Sequence, residues 1–122
     1  MIKFTVPLKV TGEYGMNKIY AGIHWKKRQQ QAKEIHELML YSMMAQHVPK
    51  KLFKRPVVIN ISYNSNLDID NHGYLTKMLV DGLKGYLIED DKRKFVTEIR
   101  QKFYDGKDIL IEIGDEQSIE ND

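Results

Sequence analysis

The chain has 122 residues, of which 30% are charged, with a net charge of +2 and no cysteine. This length is typical of one domain with a sizeable core. The lack of cysteine excludes a disulfide framework and a thiolate metal site, and it makes the cytoplasm the expected compartment. No apolar run approaches the length that spans a bilayer, and the lysines among the first ten residues argue against a signal peptide.

The two halves of the chain differ in charge. Residues 1–60 carry 11 Lys and Arg against 3 Asp and Glu, whereas residues 61–122 carry 8 against 14. A basic half favours a polyanionic partner such as nucleic acid, and an acidic half can hold cations. The alternative is that both halves present ordinary solvated faces.

Hydrophobic periodicity predicts most of the elements. Apolar and polar residues alternate over 2–10, which predicts a strand, and Pro7 lacks a backbone donor, which predicts either an edge strand or a bulge at that residue. Helical spacing of apolar residues predicts helices over 26–47 and 72–86. Residues 57–64 are β-branched and apolar, as expected for a buried central strand.

Two further strands are predicted near the end of the chain. They cover 95–104 and 108–113, and the Asp-Gly step at 105–106 predicts a hairpin between them. Residues 114–122 are acidic and predicted to be a disordered tail, which leaves 1–113 as one domain. The order strand-helix-strand-helix-strand-strand predicts an α+β fold with a mixed sheet and two main helices on one face.

The stretch NLDIDNHG at 66–73 carries the main functional signal. In extended chain Asp68 and Asp70 face the same side, and two close carboxylates repel each other unless a cation lies between them. A calcium loop does not fit, because its fifth position would be His72 and its twelfth Leu79. A second alternative is that Asp70 or its neighbour Asn71 caps the following helix.

A third carboxylate could come from the EDD stretch at 89–91, for which the alternative is a solvated turn. The ordered set Asp68-Ile69-Asp70-Asn71, then Lys77 in LTKMLVDGLKG, then Asp90-Asp91 resembles the RusA family of Holliday-junction resolvases. The clear match covers residues 66–92. Residues 72–74 look like an insertion between the aspartate motif and Lys77. Lys77 therefore reaches the site only if the insertion bulges out before the helix begins.

The resemblance implies a homodimer that cuts four-way DNA junctions symmetrically by phosphodiester hydrolysis. It implies Mg²⁺ held by Asp68, Asp70 and Asp91, with Asp90 as the fallback for the third ligand. Mn²⁺ prefers similar oxygen ligands and is expected to substitute. It also implies a catalytic role for Lys77. The alternatives are a nuclease for other branched DNA, a branched-DNA-binding protein without activity, and a small protein-interaction domain.

Basic side chains of the first half are candidates for phosphate contacts. They are Lys18, Lys26, Lys27, Arg28, Lys50, Lys51, Lys54 and Arg55. Tyr14, Tyr20 and Trp25 could stack on unpaired bases, although a core role for Trp25 is an equal alternative. The first-helix methionines 39, 43 and 44 could form the dimer surface or belong to the core.

Overall fold

The computed structural model describes residues 1–22 and 24–116. A four-stranded sheet and three α-helices form in this part of the chain. The strands are β1 (Ile2–Val6), β2 (Val57–Tyr63), β3 (Val96–Phe103) and β4 (Ile109–Asp115). The helices are α1 (Met16–Tyr20), α2 (Trp25–Ala45) and α3 (Gly73–Asp81), and 3-10 turns cover Gly12–Tyr14 and Ile69–His72.

The sheet has the order β1-β4-β2-β3, and β2 is parallel to β3 but antiparallel to β4. This mixed sheet with two main helices confirms the predicted α+β class. All seven residues of β2 are buried, so the β-branched run at 57–64 is the central strand it was expected to be. β1 lies at the edge of the sheet and ends at Val6, directly before Pro7.

The predicted hairpin of the last two strands is wrong. β4 lies on the far side of β2 from β3 and pairs with both β2 and β1. The connection crosses the carboxyl end of β2, where the Asn64 amide donates hydrogen bonds to the carbonyl oxygens of Asp105 and Gly106, at 3.4 and 3.0 Å. In this position Ile111 lies between Phe4 and Ile61, which buries the apolar face of β4 completely.

The core lies between the helices and one face of the sheet. Ile59 and Ile61 of β2 pack there with Ile35 and Met39 of α2. α2 and α3 approach closely at Gly82, where a Cβ atom would lie 2.7 Å from Met39 Cγ. Met39 and Met43 are fully buried, so they belong to the core and are not a dimer surface; Met44 is 61% exposed.

α3 is shorter than predicted because the chain turns after Gly82. Gly85 adopts a positive φ of 79°, and Lys84 and Ile88 form a short bridge in this turn. The apolar residues expected on the inner face of a longer helix are still buried. Tyr86, for example, donates a hydrogen bond from its hydroxyl to the carbonyl oxygen of Val48 at 2.6 Å.

The end of the chain departs from the predicted tail. β4 continues through Gly114 and Asp115, which pair with Val58 and Val57, so the first residues of the expected disordered segment are part of the sheet. The rest of that prediction, residues 117–122, lies outside the described residues. Within the described ranges, no helix has the length and apolar character needed to cross a membrane.

Candidate functional site

Asp68 and Asp70 follow the carboxyl end of β2 and line one open cavity. Asp68 has an extended backbone, and Asp70 lies in the 3-10 turn Ile69–His72. The cavity has a volume of about 650 Å³, and Lys77 of α3 lines it together with the two aspartates. Both aspartates therefore border the same cavity, and a turn rather than extended chain brings them there.

The turn itself is fixed from inside the protein by His72. This side chain is fully buried and stacks on the ring of Tyr63, with 4.2 Å between the centroids. Its Nδ1 donates to the carbonyl oxygen of Ile69 at 3.1 Å, and its Nε2 is hydrogen-bonded to the Ser65 hydroxyl at 2.7 Å. A calcium loop, which would need His72 to face the ion, is therefore excluded.

Asn71 joins the turn to the opposite wall of the cavity. Its side-chain oxygen accepts a hydrogen bond from the backbone N–H of Asn17 in α1 at 2.9 Å. The contact requires glycine at position 15, because a Cβ atom there would lie 2.9 Å from the Asn71 amide nitrogen. The predicted capping of α3 by Asp70 or Asn71 is wrong, since the N-cap residue is His72 and its side chain makes no capping bond.

The carboxylates of Asp68 and Asp70 are unpaired within residues 1–22 and 24–116. Among the described residues, the side chains of Asp68 and Asp70 make no hydrogen bond and no ion pair. The donors are hard oxygen ligands of the kind that Mg²⁺ prefers, and Mg²⁺ is commonly bound by one or two carboxylates together with waters and substrate phosphates. The donor set of the cavity therefore fits this ion.

Lys77 borders the cavity from α3. The helix begins at Gly73, so the predicted insertion at 72–74 completes the turn and starts the helix without carrying Lys77 out of the site. The side chain is 72% exposed, and its ammonium lies 3.5 Å from the Asp81 carboxylate, one turn further along α3. Lys77 thus lines the same cavity as the two aspartates, but its ion-pair partner is Asp81.

Tyr74 lines the cavity and lies in the segment 72–74 that the sequence marks as an insertion. Its hydroxyl donates to Gln31 Oε1 at 2.8 Å, and the amide of Gln31 donates to the Glu13 carbonyl oxygen at 3.2 Å. Burial raises the pKa of the Tyr74 phenol, which the nearby Arg28 guanidinium partly opposes. The i, i+3 spacing from Lys77 was the signal that could have placed Tyr74 on this face.

The predicted third ligand lies elsewhere. Asp91 and Asp90 surround Lys84, whose ammonium is 3.3 Å from Asp91, 3.7 Å from Asp90 and 3.0 Å from Asp81. The hydrogen bond to Asp81, followed by that to Asp91, raises the pKa of Lys84. In the part of the chain that the structure describes, no three His, Asp or Glu side chains are grouped so that they could hold one metal ion. The structure therefore does not bring Asp91 or Asp90 to Asp68 and Asp70.

The parallel pairing of β2 and β3 explains this separation. Asp68 follows the end of β2, whereas Asp91 precedes the start of β3, and the two strands start at the same edge of the sheet. The backbone N–H of Val57 accordingly donates to the carbonyl oxygen of Phe95 at 2.9 Å. A strand of this length spans roughly 20 Å, so α3 and the turn after it return the chain to the opposite edge.

The eight predicted phosphate-binding residues are all exposed, and they form two groups. Lys18, Lys26, Lys27 and Arg28 lie in α1 and the first turn of α2, near the cavity. Lys50, Lys51, Lys54 and Arg55 lie in the connection that follows α2. Because α2 has 21 residues, the two groups are roughly 30 Å apart. Lys18 and Lys27 form ion pairs with Glu13, which lowers the pKa of that carboxyl.

In comparisons with known proteins, neither a family model nor a curated protein nor a solved structure matches this chain.

Proposed function

We propose that this protein is a Mg²⁺-dependent endodeoxyribonuclease that cuts branched DNA, with four-way junctions as its preferred substrate. One observation carries the proposal. Asp68 and Asp70 line one open cavity without any partner among the described residues, while Lys77 borders the same cavity. The resemblance of the DIDN motif and the later acidic pair to the RusA resolvases supports the choice of substrate.

Asp68 and Asp70 would hold the divalent cation, and Mn²⁺ would substitute for Mg²⁺. When bound, such an ion lowers the pKa of a water that attacks phosphorus and neutralises charge on the phosphate oxygens. The two carboxylates fix where the scissile phosphate enters, because their turn is anchored by the buried His72. A third carboxylate is not required, because waters and phosphate oxygens would supply the remaining ligands of an ion held by Asp68 and Asp70.

Lys77 has a defined task in this proposal. Its ammonium can turn from Asp81 to a non-bridging oxygen of the phosphate, because the side chain is largely exposed and the ion pair at 3.5 Å is a surface pair of small energy. A fixed positive charge at this oxygen stabilises the more highly charged transition state. Asp81 keeps Lys84 as its second partner while Lys77 is engaged.

The exposed cations near the cavity give the DNA backbone a place to bind. Lys26 and Arg28 lie in the first turn of α2, and Arg28 and Lys77 line one groove between α2 and α3 that adjoins the cavity. Such contacts give affinity that falls steeply with salt and that carries no sequence information. We propose a homodimer as well, because symmetric cuts in a junction with two-fold symmetry need two equivalent sites.

The test is a cleavage assay on a labelled four-way junction, a fork, a flap and a linear duplex, in Mg²⁺ and in EDTA. We expect paired cuts in the junction that require Mg²⁺. Asp68→Asn and Asp70→Asn are expected to abolish cleavage and to leave junction binding intact. Equal cutting of forks and flaps would favour a broader branched-DNA nuclease, and binding without cutting would favour a DNA-binding protein.

Asp91→Asn decides the role of the third aspartate in the same assay. The resemblance predicts that this variant loses cleavage, as Asp70→Asn does. The arrangement around Lys84 predicts that it retains cleavage, because Asp91 lies in a different cluster from Asp68 and Asp70. Loss of activity would mean that the two ends of α3 are brought together in the DNA-bound enzyme.

A further inference from the structure

A second groove continues directly from the aspartate cavity. It runs between α2 and α3, has a volume of about 340 Å³ and shares Tyr74 and Lys77 with the cavity. Trp25 and Arg28 of α2 form its other side. A ligand that occupies the groove therefore lies next to whatever is bound at Asp68 and Asp70.

Trp25 gives the groove an open aromatic surface. It is the only tryptophan of the chain, and 52% of it is exposed, so the alternative of a core role is excluded. His24 stacks beside its ring, with 5.8 Å between the centroids and an interplanar angle of 26°. The ammonium of Lys26 lies 5.8 Å from the ring centroid. An exposed indole can stack on a flat aromatic ring of a ligand. The cations near the indole can bind a negatively charged group on the same ligand.

The charge of the groove favours a phosphate. Arg28 and Lys77 line it as cations, and Asp81 is the one acidic residue among its described lining residues. Asp81 is paired, since its carboxylate lies 3.5 Å from the Lys77 ammonium and 3.0 Å from that of Lys84, and the second pair remains when Lys77 binds a phosphate. Tyr74, which also lines the groove, is held in place by the hydrogen bond from its hydroxyl to Gln31 Oε1 at 2.8 Å.

We propose that this groove binds an unpaired nucleotide of the DNA substrate, with its base stacked on Trp25 and its phosphate held by Arg28 and Lys77. The inference rests on the proposed function and specifies its substrate: the phosphate at Asp68 and Asp70 belongs to a strand with an unstacked base beside the cut. A duplex cannot use the groove, because its bases are already stacked on one another. The groove therefore selects DNA that has a strand crossing or a gap.

The single tryptophan makes the test direct. In EDTA, which prevents cleavage, Trp25 fluorescence is followed while a short oligothymidylate or a duplex of equal length is added at low salt. We expect saturable quenching by the single strand and little by the duplex. Arg28→Gln is expected to weaken this binding, whereas Lys94→Gln, an equal charge change at an exposed residue before β3, is expected to leave it unchanged.

A second measurement follows binding by the anisotropy of labelled oligothymidylate. Trp25→Ala should weaken binding by about 5- to 100-fold and Trp25→Phe by less, because stacking on an aromatic ring is partly retained. Tyr41→Ala removes another exposed aromatic of α2, 65% exposed, and should have no effect. Circular dichroism checks that each variant is folded.

Quenching that is equal for single strand and duplex, or binding that Trp25→Ala leaves unchanged, would overturn the groove assignment. Because these measurements need no metal, they are independent of the nuclease activity. Mg²⁺-dependent junction cleavage without single-strand binding at Trp25 would leave the proposed function standing and remove only the groove. Single-strand binding at Trp25 in a protein that never cuts DNA would leave the groove assignment standing and remove the proposed nuclease function.

Discussion

The hydroxyl of Tyr63 lies 2.6 Å from Thr76 Oγ1 inside the core, and Thr76 in turn donates to Gln101 Oε1 at 2.7 Å. Thr76 has one hydroxyl proton and donates it in the hydrogen bond to Gln101, so the hydroxyl of Tyr63 is the donor to Thr76. Burial raises the pKa of Tyr63, which keeps this hydroxyl protonated. The chain of bonds joins β2, α3 and β3 directly beneath the aspartate turn. It therefore ties the position of α3, and with it Lys77, to the sheet.

This chain predicts an asymmetric response to two substitutions. Tyr63→Phe should lower the free energy of unfolding by about 1 kcal/mol, because Thr76 still donates to Gln101. Thr76→Val should lower it by about 2–3 kcal/mol, because Tyr63 and Gln101 both lose their partner. Urea denaturation measures both values. A loss for Tyr63→Phe that equals or exceeds that for Thr76→Val would contradict the described direction of the bonds.

Asn71 is predicted to hold the wall of the cavity through its acceptor oxygen. Asn71→Ala removes the bond to the Asn17 N–H and should cost about 1 kcal/mol of stability, as loss of a helix-capping acceptor does. It should also slow junction cleavage, since α1 borders the cavity. Asn71→Asp keeps an acceptor oxygen at the same place and is expected to retain the stability. Equal destabilisation by both changes would show that the acceptor is not what matters.

Gly82 is predicted to be required by the close contact of the two helices. In Gly82→Ala the new Cβ would meet Met39 Cγ at 2.7 Å and Met39 Cβ at 2.9 Å. Overpacking of this kind costs about 1–3 kcal/mol in unfolding free energy. Gly12→Ala is the matched control, because no atom lies within 4 Å of a Cβ at that position. Urea denaturation in which the two variants unfold alike would contradict this packing.

The carboxyl group of Asp90 is predicted to titrate below its ordinary range. The backbone N–H of Asp91, at 2.8 Å, is the main cause of the lowered pKa, and the ammonium groups of Lys84 and Lys92 add to it. A carboxyl with a lowered pKa in the folded state stabilises the fold above its unfolded value of 3.8. That contribution is lost as the pH falls through the folded-state pKa.

Lys84→Met tests this account of the acidic cluster. The variant should raise the pKa of Asp90 but leave it below the ordinary value, because the Asp91 N–H remains. Carboxyl carbon chemical shifts followed between neutral and acidic pH measure the change. Lys94→Met removes a lysine of the same connection and is expected to leave the titration of Asp90 unchanged. An Asp90 pKa that does not respond to Lys84→Met would refute the pairing.

Local pattern was enough to predict much of the fold. The burial of β2 and the inner faces of α2 and α3 follow from apolar periodicity, which the sequence displays directly. The hairpin prediction failed because an Asp-Gly step describes only a turn, while the partner of β4 is chosen by burial of its isoleucine face between β1 and β2. Helix α3 ends before the predicted residue 86 because residues 82–88 form a turn, and this turn buries the apolar residues of the segment without helical structure.

The residues of the candidate site also fall into those that local sequence pattern could place and those that it could not. Asp68, Asp70 and Lys77 could be placed together because a few residues of turn and one turn of helix separate them. Asp91 could not, because its position depends on the parallel pairing of β2 with β3, which no local pattern specifies. The groove at Trp25 depends on how two helices distant in sequence pack, so only the three-dimensional structure reveals it.

The most direct test of the account places the metal without relying on activity. Mn²⁺ would be titrated into ¹⁵N-labelled protein, and the paramagnetic broadening of each backbone amide would be followed by NMR. We expect the amides of residues 68–73 to broaden first, and we expect the double variant with Asp68→Asn and Asp70→Asn to lose this broadening. Broadening centred on residues 89–92, or none specific to the aspartate cavity, would contradict the assignment of Asp68 and Asp70 as the metal site.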